Sequence, residues 1–251
     1  MDGFLEALRI QRWDDHRYYH HSRINQTLHL ISALSFVCAY ALVFTDPVAA
    51  ALIGWLVAMT SRQAGHFFFE PKDYDEVNQA THEYKEEIKV GYNLQRKVVL
   101  MTIWALSPLP LYFDPTFFGI FEPHATTAEF VRHVALIWLV VGLGGLIYRT
   151  VQLFFIKDVQ TGLGWATKIL TDPFHDIKLY HKAPLHLLRG EWLDTDSVTS
   201  DEPAAAHARA HVGVAARLAS LRRQSCHTFA DRYRSNPVQN DVWNSLRRPK
   251  H

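Results

Sequence analysis

Four long apolar stretches alternate with polar segments over the first 156 residues: 28–45, 47–69, 98–113 and 133–156. Their apolar residues are continuous rather than confined to one face of a helix, which favours membrane helices over the amphipathic helices of a soluble core. The third stretch is short and contains two prolines, so it is the poorest span. The pattern predicts an all-α fold, an integral membrane bundle of about four membrane helices arranged as two helical hairpins.

Lysine and arginine are distributed unevenly around these stretches. The turn at 45–47 has none and the connection 114–132 has only Arg132, whereas the N-terminus, the 70–97 loop and the chain after the fourth stretch carry nearly all the others. The positive-inside rule then places both termini and the 70–97 loop in the cytoplasm. We expect an integral membrane protein of the endoplasmic reticulum if the source is eukaryotic, or of the inner membrane if it is bacterial.

The composition changes near residue 195. We expect residues 1–194 to form a membrane-embedded helical domain that carries any metal site, and residues 195–251 to form a polar tail. Within the tail, 204–224 predicts a short basic amphipathic helix, and the residues beyond it predict disorder. The 26 Lys and Arg nearly balance the 25 Asp and Glu, which argues against nucleic acid as a partner. With only two cysteines, a disulfide framework or a Cys-rich zinc site is excluded.

Histidine stands out by number and by position, with fifteen copies in the chain. In the predicted topology most of the histidines before residue 195 collect on the cytoplasmic face. This histidine-rich face contains His16, His20, His21, His29, His66, His82, His175, His181 and His186. Neutral imidazole with carboxylate suits Fe(II) with open coordination positions, and zinc accepts the same donors. The pattern therefore indicates a metal site at the membrane boundary, where ionisable residues are functional candidates.

Two motifs lie on the first two apolar stretches. The first, Y-x-H-x4-N-x3-H, is formed by Tyr18, His20, Asn25 and His29, and the second, G-H-x3-E, is formed by Gly65, His66 and Glu70. Their combination, order and helical context, over about residues 10–155, resemble the membrane family of the yeast 2-hydroxy-palmitic acid dioxygenase.

This resemblance implies an iron(II)-dependent dioxygenase of fatty-acid α-oxidation that needs no 2-oxoglutarate. The implied reaction converts a 2-hydroxy fatty acid and dioxygen to the acid one carbon shorter, with loss of carbon dioxide. The resemblance also implies that His20, His29 and His66 hold Fe(2+), while Asn25 and Glu70 support the site and orient its ligands. The expected partners are the 2-hydroxy fatty acid, dioxygen and the lipid bilayer.

Two arginines beside the motifs are candidates to bind the carboxylate of the substrate. Arg62 lies one helical turn before His66, and Arg23 lies between His20 and Asn25. A guanidinium can form two parallel hydrogen bonds with a carboxylate. The alternative is that both side chains extend to lipid phosphates.

Two other functions stay open from the sequence. His16-x-x-x-His20-His21 is similar to a histidine box of membrane di-iron lipid hydroxylases and desaturases, which need more histidine ligands. The additional metal-ligand candidates are His16, His21, His82, His175 and His181. The third possibility is a non-catalytic membrane scaffold with interfacial histidines. The sequence leaves open the role of His186 and the oligomeric state.

Overall fold

The structure, a computed structural model, describes residues 2–70, 72–75, 78 and 80–194. The predicted tail and its amphipathic helix lie outside the described residues. The described chain is all-α, as predicted, and forms no β-strand. Its helices are α1 (Asp2–Tyr19), α2 (Arg23–Leu42), α3 (Pro47–Leu52), a π-helical segment (Ile53–Met59), α4 (Thr60–Phe68), α5 (His82–Ile88), α6 (Leu94–Leu106), α7 (Pro108–Phe113), α8 (Thr127–Ile156), α9 (Val159–Tyr180) and α10 (Ala183–Leu188).

A short break separates α1 from α2 and places His20 between them. Two buried amides bridge this break. The Asn25 side chain donates to the Tyr19 carbonyl at 2.7 Å, and the Gln26 side chain donates to the His20 carbonyl at 2.9 Å. Helix ends leave carbonyl groups without intrahelical partners, so these amides satisfy groups that the break would otherwise leave buried and unpaired.

The first predicted hairpin is present as α2 and a second continuous rod. Asp46 caps this rod, with Pro47 at its first position, and the rod runs through α3, the π-helical segment and α4 to Phe68. α2 packs along the π-helical segment and α4. Gly65 lies at this contact, where an added Cβ would come within 2.2 Å of Asn25 Oδ1. The glycine therefore lets the two motif-bearing helices approach closely.

The second pair of apolar stretches forms α6, α7 and α8. The rod of α6 and α7 is interrupted at Ser107, immediately before Pro108, and both helices pack against α8. Three tryptophans join the two pairs. Trp104 lies between Trp55 and Trp138 with ring centroids 5.4 and 5.2 Å away, and Trp55 Nε1 donates to the Trp138 carbonyl at 2.7 Å.

α9 is a long helix that was not among the four predicted apolar stretches. It begins at Asp158, whose carboxylate accepts from the Thr161 amide, and it packs against α1, α2 and α8. Its buried polar side chains recur every four residues. This stripe consists of Lys168, Asp172, Asp176 and Tyr180. Because residues four apart share one face of a helix, α9 presents these groups together to α1, α2 and α4.

Among the described residues, α8 is the helix long and apolar enough to cross a membrane. Only 22% of its most apolar 18-residue window is buried. Large apolar side chains such as Val140 and Phe155 are 70% and 84% exposed. The other three predicted spans correspond to helices that are interrupted or begin with polar residues, and the four-span arrangement stays a prediction.

Replacing Gly65 with alanine should destabilise the protein. Alanine favours a helix by about 1 kcal/mol, but the added methyl group displaces the Asn25 amide, and overpacking costs about 1–3 kcal/mol. We expect Gly65→Ala to lower the unfolding temperature of the purified protein in detergent. Gly144→Ala is the matched control, because nothing lies within 4 Å of a Cβ at that position. Equal unfolding temperatures for Gly65→Ala and the wild type would contradict this packing.

Candidate metal centre

Three histidines from separate segments meet in the interior. His20 comes from the break before α2, His29 from α2 and His66 from α4. Their exposed fractions are 1%, 0% and 6%, and one ring nitrogen from each lies within 4.8 Å of the other two. This three-histidine cluster is the group of potential metal ligands found among the described residues. A single metal ion could therefore be held by all three imidazoles.

Several ring nitrogens in the three-histidine cluster have no hydrogen-bond partner. They are His20 Nε2 and both nitrogens of His29, and all are buried. Buried polar atoms in proteins are almost always paired, because an unpaired one loses its hydration without replacement. A bound cation would satisfy His20 Nε2 and one nitrogen of His29, so the arrangement fits a metal ion better than a purely structural role.

Each histidine of the cluster also has its second ring nitrogen next to an oxygen atom. His66 Nδ1 lies 2.8 Å from Glu70 Oε2, His20 Nδ1 lies 3.0 Å from the Tyr180 hydroxyl, and His29 Nδ1 lies 3.6 Å from Asp176 Oδ2. Metal-binding histidines in proteins commonly have such a partner, which fixes the ring orientation and makes the opposite nitrogen a better ligand. These three oxygens come from outside the ligand set, and two of them belong to α9.

Burial lowers the pKa of His20 well below its ordinary value, and the nearby His29 lowers it further. The imidazole is therefore neutral near pH 7, which is the form that binds a metal ion. The Tyr180 hydroxyl lies between His20 and His16, 3.0 Å from Nδ1 of each. Burial raises the pKa of Tyr180 well above its ordinary value, so the hydroxyl keeps its proton.

A buried network of charges lies beside the three-histidine cluster. Arg62 lies 3.4 Å from Asp172 and 3.3 Å from Asp176, and Lys168 lies 2.9 Å from Asp15 and 2.6 Å from Asp172. Burial alone would raise the pKa of Asp15, but the nearby Lys168, His20 and Arg62 together outweigh it and hold the pKa well below the ordinary value. The network joins α1, α4 and α9 beside the three-histidine cluster. Removing one partner would leave a buried charge unpaired, at a cost of about 3–5 kcal/mol.

A cavity of about 450 Å³ lies next to His66 between the helices. Part of its lining is polar or charged and includes Arg62, Gln63, His66 and Lys97. Its remaining wall is apolar and includes Trp55, Met59, Leu100, Met101, Trp138 and Leu146. The size is within the range of about 300–1,000 Å³ typical of ligand pockets. The cavity therefore suits a molecule with one polar end and a long apolar portion.

The motif residues lie where the spacing predicts, beside the three histidines. Glu70 contacts His66 and also accepts from Lys89 at 3.2 Å. Asn25 is fully buried, and its Oδ1 has no hydrogen-bond partner. Because Asn25 also bridges the break before α2, its position supports His20 and His29 together.

The two arginine candidates differ in their surroundings. Arg62 lines the cavity, although its guanidinium faces two carboxylates. Arg23 instead lies 2.9 Å from Asp194 and donates to Gln26, and it does not line the cavity. Because a carboxylate of the chain itself pairs with Arg23, the structure does not favour this residue for a substrate carboxylate, and that role stays a prediction.

The additional histidine candidates do not join the three-histidine cluster. His16 reaches it only through Tyr180, and His82 lines a separate small cavity next to His66 and Glu70. The others have different partners or orientations: His21 contacts the Arg17 carbonyl, His181 Nδ1 contacts the Lys178 carbonyl at 3.0 Å, His186 contacts Glu191 at 2.5 Å, and His175 is half-buried on α9 beside the inward stripe. The contributions of Asp176, Tyr180 and Lys168 were missed, although their four-residue spacing was visible in the sequence.

Comparison with known proteins provides no neighbour, since no family model, no curated protein and no solved structure matches the chain. The function is therefore argued from the site itself and from the two motifs. The two most informative features of the site are the unpaired imidazole nitrogens and the largely apolar lining of the adjoining cavity.

Removing any one histidine of the cluster should abolish metal binding. We expect His20→Gln, His29→Gln and His66→Gln to lower the metal content of the purified protein from about one ion per chain to near zero, because two imidazoles hold a divalent ion weakly. Elemental analysis by plasma mass spectrometry provides the measurement. His181→Gln is the matched control, since this exposed side chain lies outside the cluster. A variant of the cluster that keeps the full metal content would contradict the assignment.

Proposed function

We propose that the protein is an iron(II)-dependent dioxygenase of fatty-acid α-oxidation. It converts a 2-hydroxy fatty acid to the acid one carbon shorter, with loss of carbon dioxide. The observation that carries the proposal is that the buried three-histidine cluster adjoins, through His66, a cavity of about 450 Å³ whose lining is largely apolar. The two motifs that resemble the yeast 2-hydroxy-palmitic acid dioxygenase family coincide with this site, which supports the same reaction.

The proposed metal ion is Fe(II), held by His20, His29 and His66. Three neutral imidazoles leave coordination positions for other ligands, a donor set that iron oxygenases use. When bound, iron(II) supplies a site for dioxygen and for oxygen atoms of the substrate, and it carries the redox change. Glu70 and Tyr180 hold the His66 and His20 imidazoles in orientation from outside the ligand set, and Asp176 lies beside His29.

The cavity contributes positioning and protection to the proposed reaction. Its apolar wall holds the acyl chain and excludes water, while the head of the substrate stays at the His66 end. The reaction R–CH(OH)–COOH + O2 → R–COOH + CO2 + H2O balances in atoms and electrons. The substrate itself provides all four electrons that reduce dioxygen, so no external reductant is needed.

The same balance separates this proposal from the di-iron hydroxylase or desaturase alternative. Those reactions take two electrons from an external donor, and their sites need more histidines than the three that meet here. Within the described residues, His16 and His82 lie close by without entering the cluster. A non-catalytic membrane scaffold would not explain why buried ring nitrogens of His20 and His29 lack hydrogen-bond partners.

We further propose that the protein is embedded in a bilayer through about four helices, with both termini in the cytoplasm. α8 supports this placement by its length and hydropathy. Exposed apolar side chains on the neighbouring helices support it as well: Ile31 and Leu34 on α2, Val99 and Ile103 on α6, and Phe113 on α7. Soluble monomers rarely expose extended apolar surfaces, because water disfavours them. The organelle expected for a eukaryotic source is the endoplasmic reticulum.

A conversion assay tests the proposed reaction. Membranes containing the protein receive labelled 2-hydroxypalmitate, Fe(II) and air, without an added electron donor. We expect a product one carbon shorter and labelled carbon dioxide, and at least a hundredfold loss of rate in His66→Gln, because the metal carries the chemistry. His181→Gln should retain the rate. If product forms only when an electron donor is added, the hydroxylase alternative is favoured; if iron-loaded protein forms none, the dioxygenase proposal is wrong.

A reporter fusion tests the proposed topology. A reporter inserted in the 114–132 connection should lie outside the cytoplasm, and one inserted in the 80–93 segment should lie inside, because the positive charges concentrate there. Accessibility to a membrane-impermeant label provides the measurement. A cytoplasmic signal at 114–132 would overturn the two-hairpin topology.

A further inference from the structure

Four cationic side chains line the large cavity, and three of them are held by carboxylates of the chain. The four are Arg62, Lys89, Lys97 and Lys168. Arg62 faces Asp172 and Asp176, Lys89 faces Glu70 and Glu86, and Lys168 faces Asp15 and Asp172. Within residues 2–70, 72–75, 78 and 80–194, Lys97 is the cavity cation whose ammonium group has no carboxylate within 4.0 Å and no hydrogen bond. The ammonium group of Lys97 therefore has no direct carboxylate partner within this part of the chain.

Lys97 is deeply placed for an unpaired ammonium group. The residue is only 9% exposed, and it lines both the large cavity and the small neighbouring one that contacts His66 and Glu70. A buried charge is costly unless an opposite charge pairs with it. A site with such a cation aimed into a cavity is therefore matched to an anionic ligand.

Two apolar residues of α6 also suit the apolar part of such an anionic ligand. Leu100 and Met101 follow Lys97 by three and four residues on the same face of α6, and both belong to the apolar wall of the cavity. One helix thus presents a cation at the polar end and apolar side chains one turn further in. A long-chain acid has the same order of groups, a carboxylate followed by methylenes.

We propose that Lys97 binds the carboxylate of the fatty acid and thereby selects acids over other long-chain lipids. This inference rests on the proposed function for the identity of the ligand and assigns the role that the sequence suggested for Arg23 or Arg62. Arg23 is paired with Asp194 away from the cavity, and Arg62 is held between two aspartates. Lys97 is a binding and specificity residue at the end of the cavity where His66 lies.

Competition binding tests the inference without requiring turnover. Purified metal-loaded protein in detergent binds a fluorescent fatty acid, which palmitate or 1-hexadecanol then displaces. We expect the wild type to prefer palmitate over 1-hexadecanol by at least about tenfold, the effect of one charge-assisted hydrogen bond. Lys97→Met should lose this preference through weaker palmitate binding, with the affinity for 1-hexadecanol and the metal content unchanged. Lys97→Arg should keep most of the preference.

A matched control and a competing variant make the result specific. Arg96→Met removes the same charge from the exposed neighbouring position and should leave both affinities unchanged. Equal binding of acid and alcohol by the wild type overturns the inference, and this comparison needs no variant. A preference that persists in Lys97→Met but disappears in Arg62→Met also overturns it.

Turnover separates this inference from the proposed function. If Lys97→Met raises the KM for 2-hydroxypalmitate at least about tenfold and changes kcat much less, Lys97 acts on binding in the proposed reaction. Selective binding of palmitate without any conversion would keep the carboxylate site and refute the dioxygenase. Conversion with an unchanged KM in Lys97→Met would keep the dioxygenase and refute the role of Lys97.

Discussion

Three buried imidazoles, two of which carry ring nitrogens without a hydrogen-bond partner, are the constraint on which the rest of the structure depends. These unpaired nitrogens have lost water, so a cation could satisfy them, and the cluster can bind one only if the rings stay neutral and correctly oriented. Burial keeps His20 neutral, and contacts with Glu70 and Tyr180 orient two of the rings. The amide of Asn25 and the missing side chain at Gly65 bring the helices that carry the rings together.

The charge network beside the imidazoles explains why α9 belongs to the site. Its stripe of polar groups would be very costly against an apolar core, but Arg62 and Asp15 provide the opposite charges from α4 and α1. Loss of any one partner would leave a buried charge unpaired, so the network ties the packing of α9 to that of α1 and α4. Asp176 takes part in both systems, because it approaches Arg62 and His29.

The cavity lies between the three-histidine cluster and helices whose outer surfaces are apolar. It starts among charged groups at His66 and continues between Trp55, Leu100 and Trp138. Exposed apolar side chains cover the outside of the same helices. A long-chain acid drawn from a bilayer would meet apolar surface first and its counter-charge, Lys97, next to the metal ligands. Binding of the head, exclusion of water and metal chemistry would thus occur at one end of one cavity.

Local spacing explains what could be predicted from the sequence alone. Asn25 and His29, and likewise His66 and Glu70, are four residues apart, so helix formation by itself places each pair on one face. The helical class and the broken helix near Pro108 follow from equally local preferences. Contacts between distant segments decided the rest. Tyr180 meets His20 across 160 residues, and Asp194 pairs with Arg23, which does not line the cavity. Within the described residues, Glu70 and Asp172 pair with Lys89 and Lys168, while Lys97 has no carboxylate within 4.0 Å. Such pairings depend on helix packing, which no short-range pattern encodes.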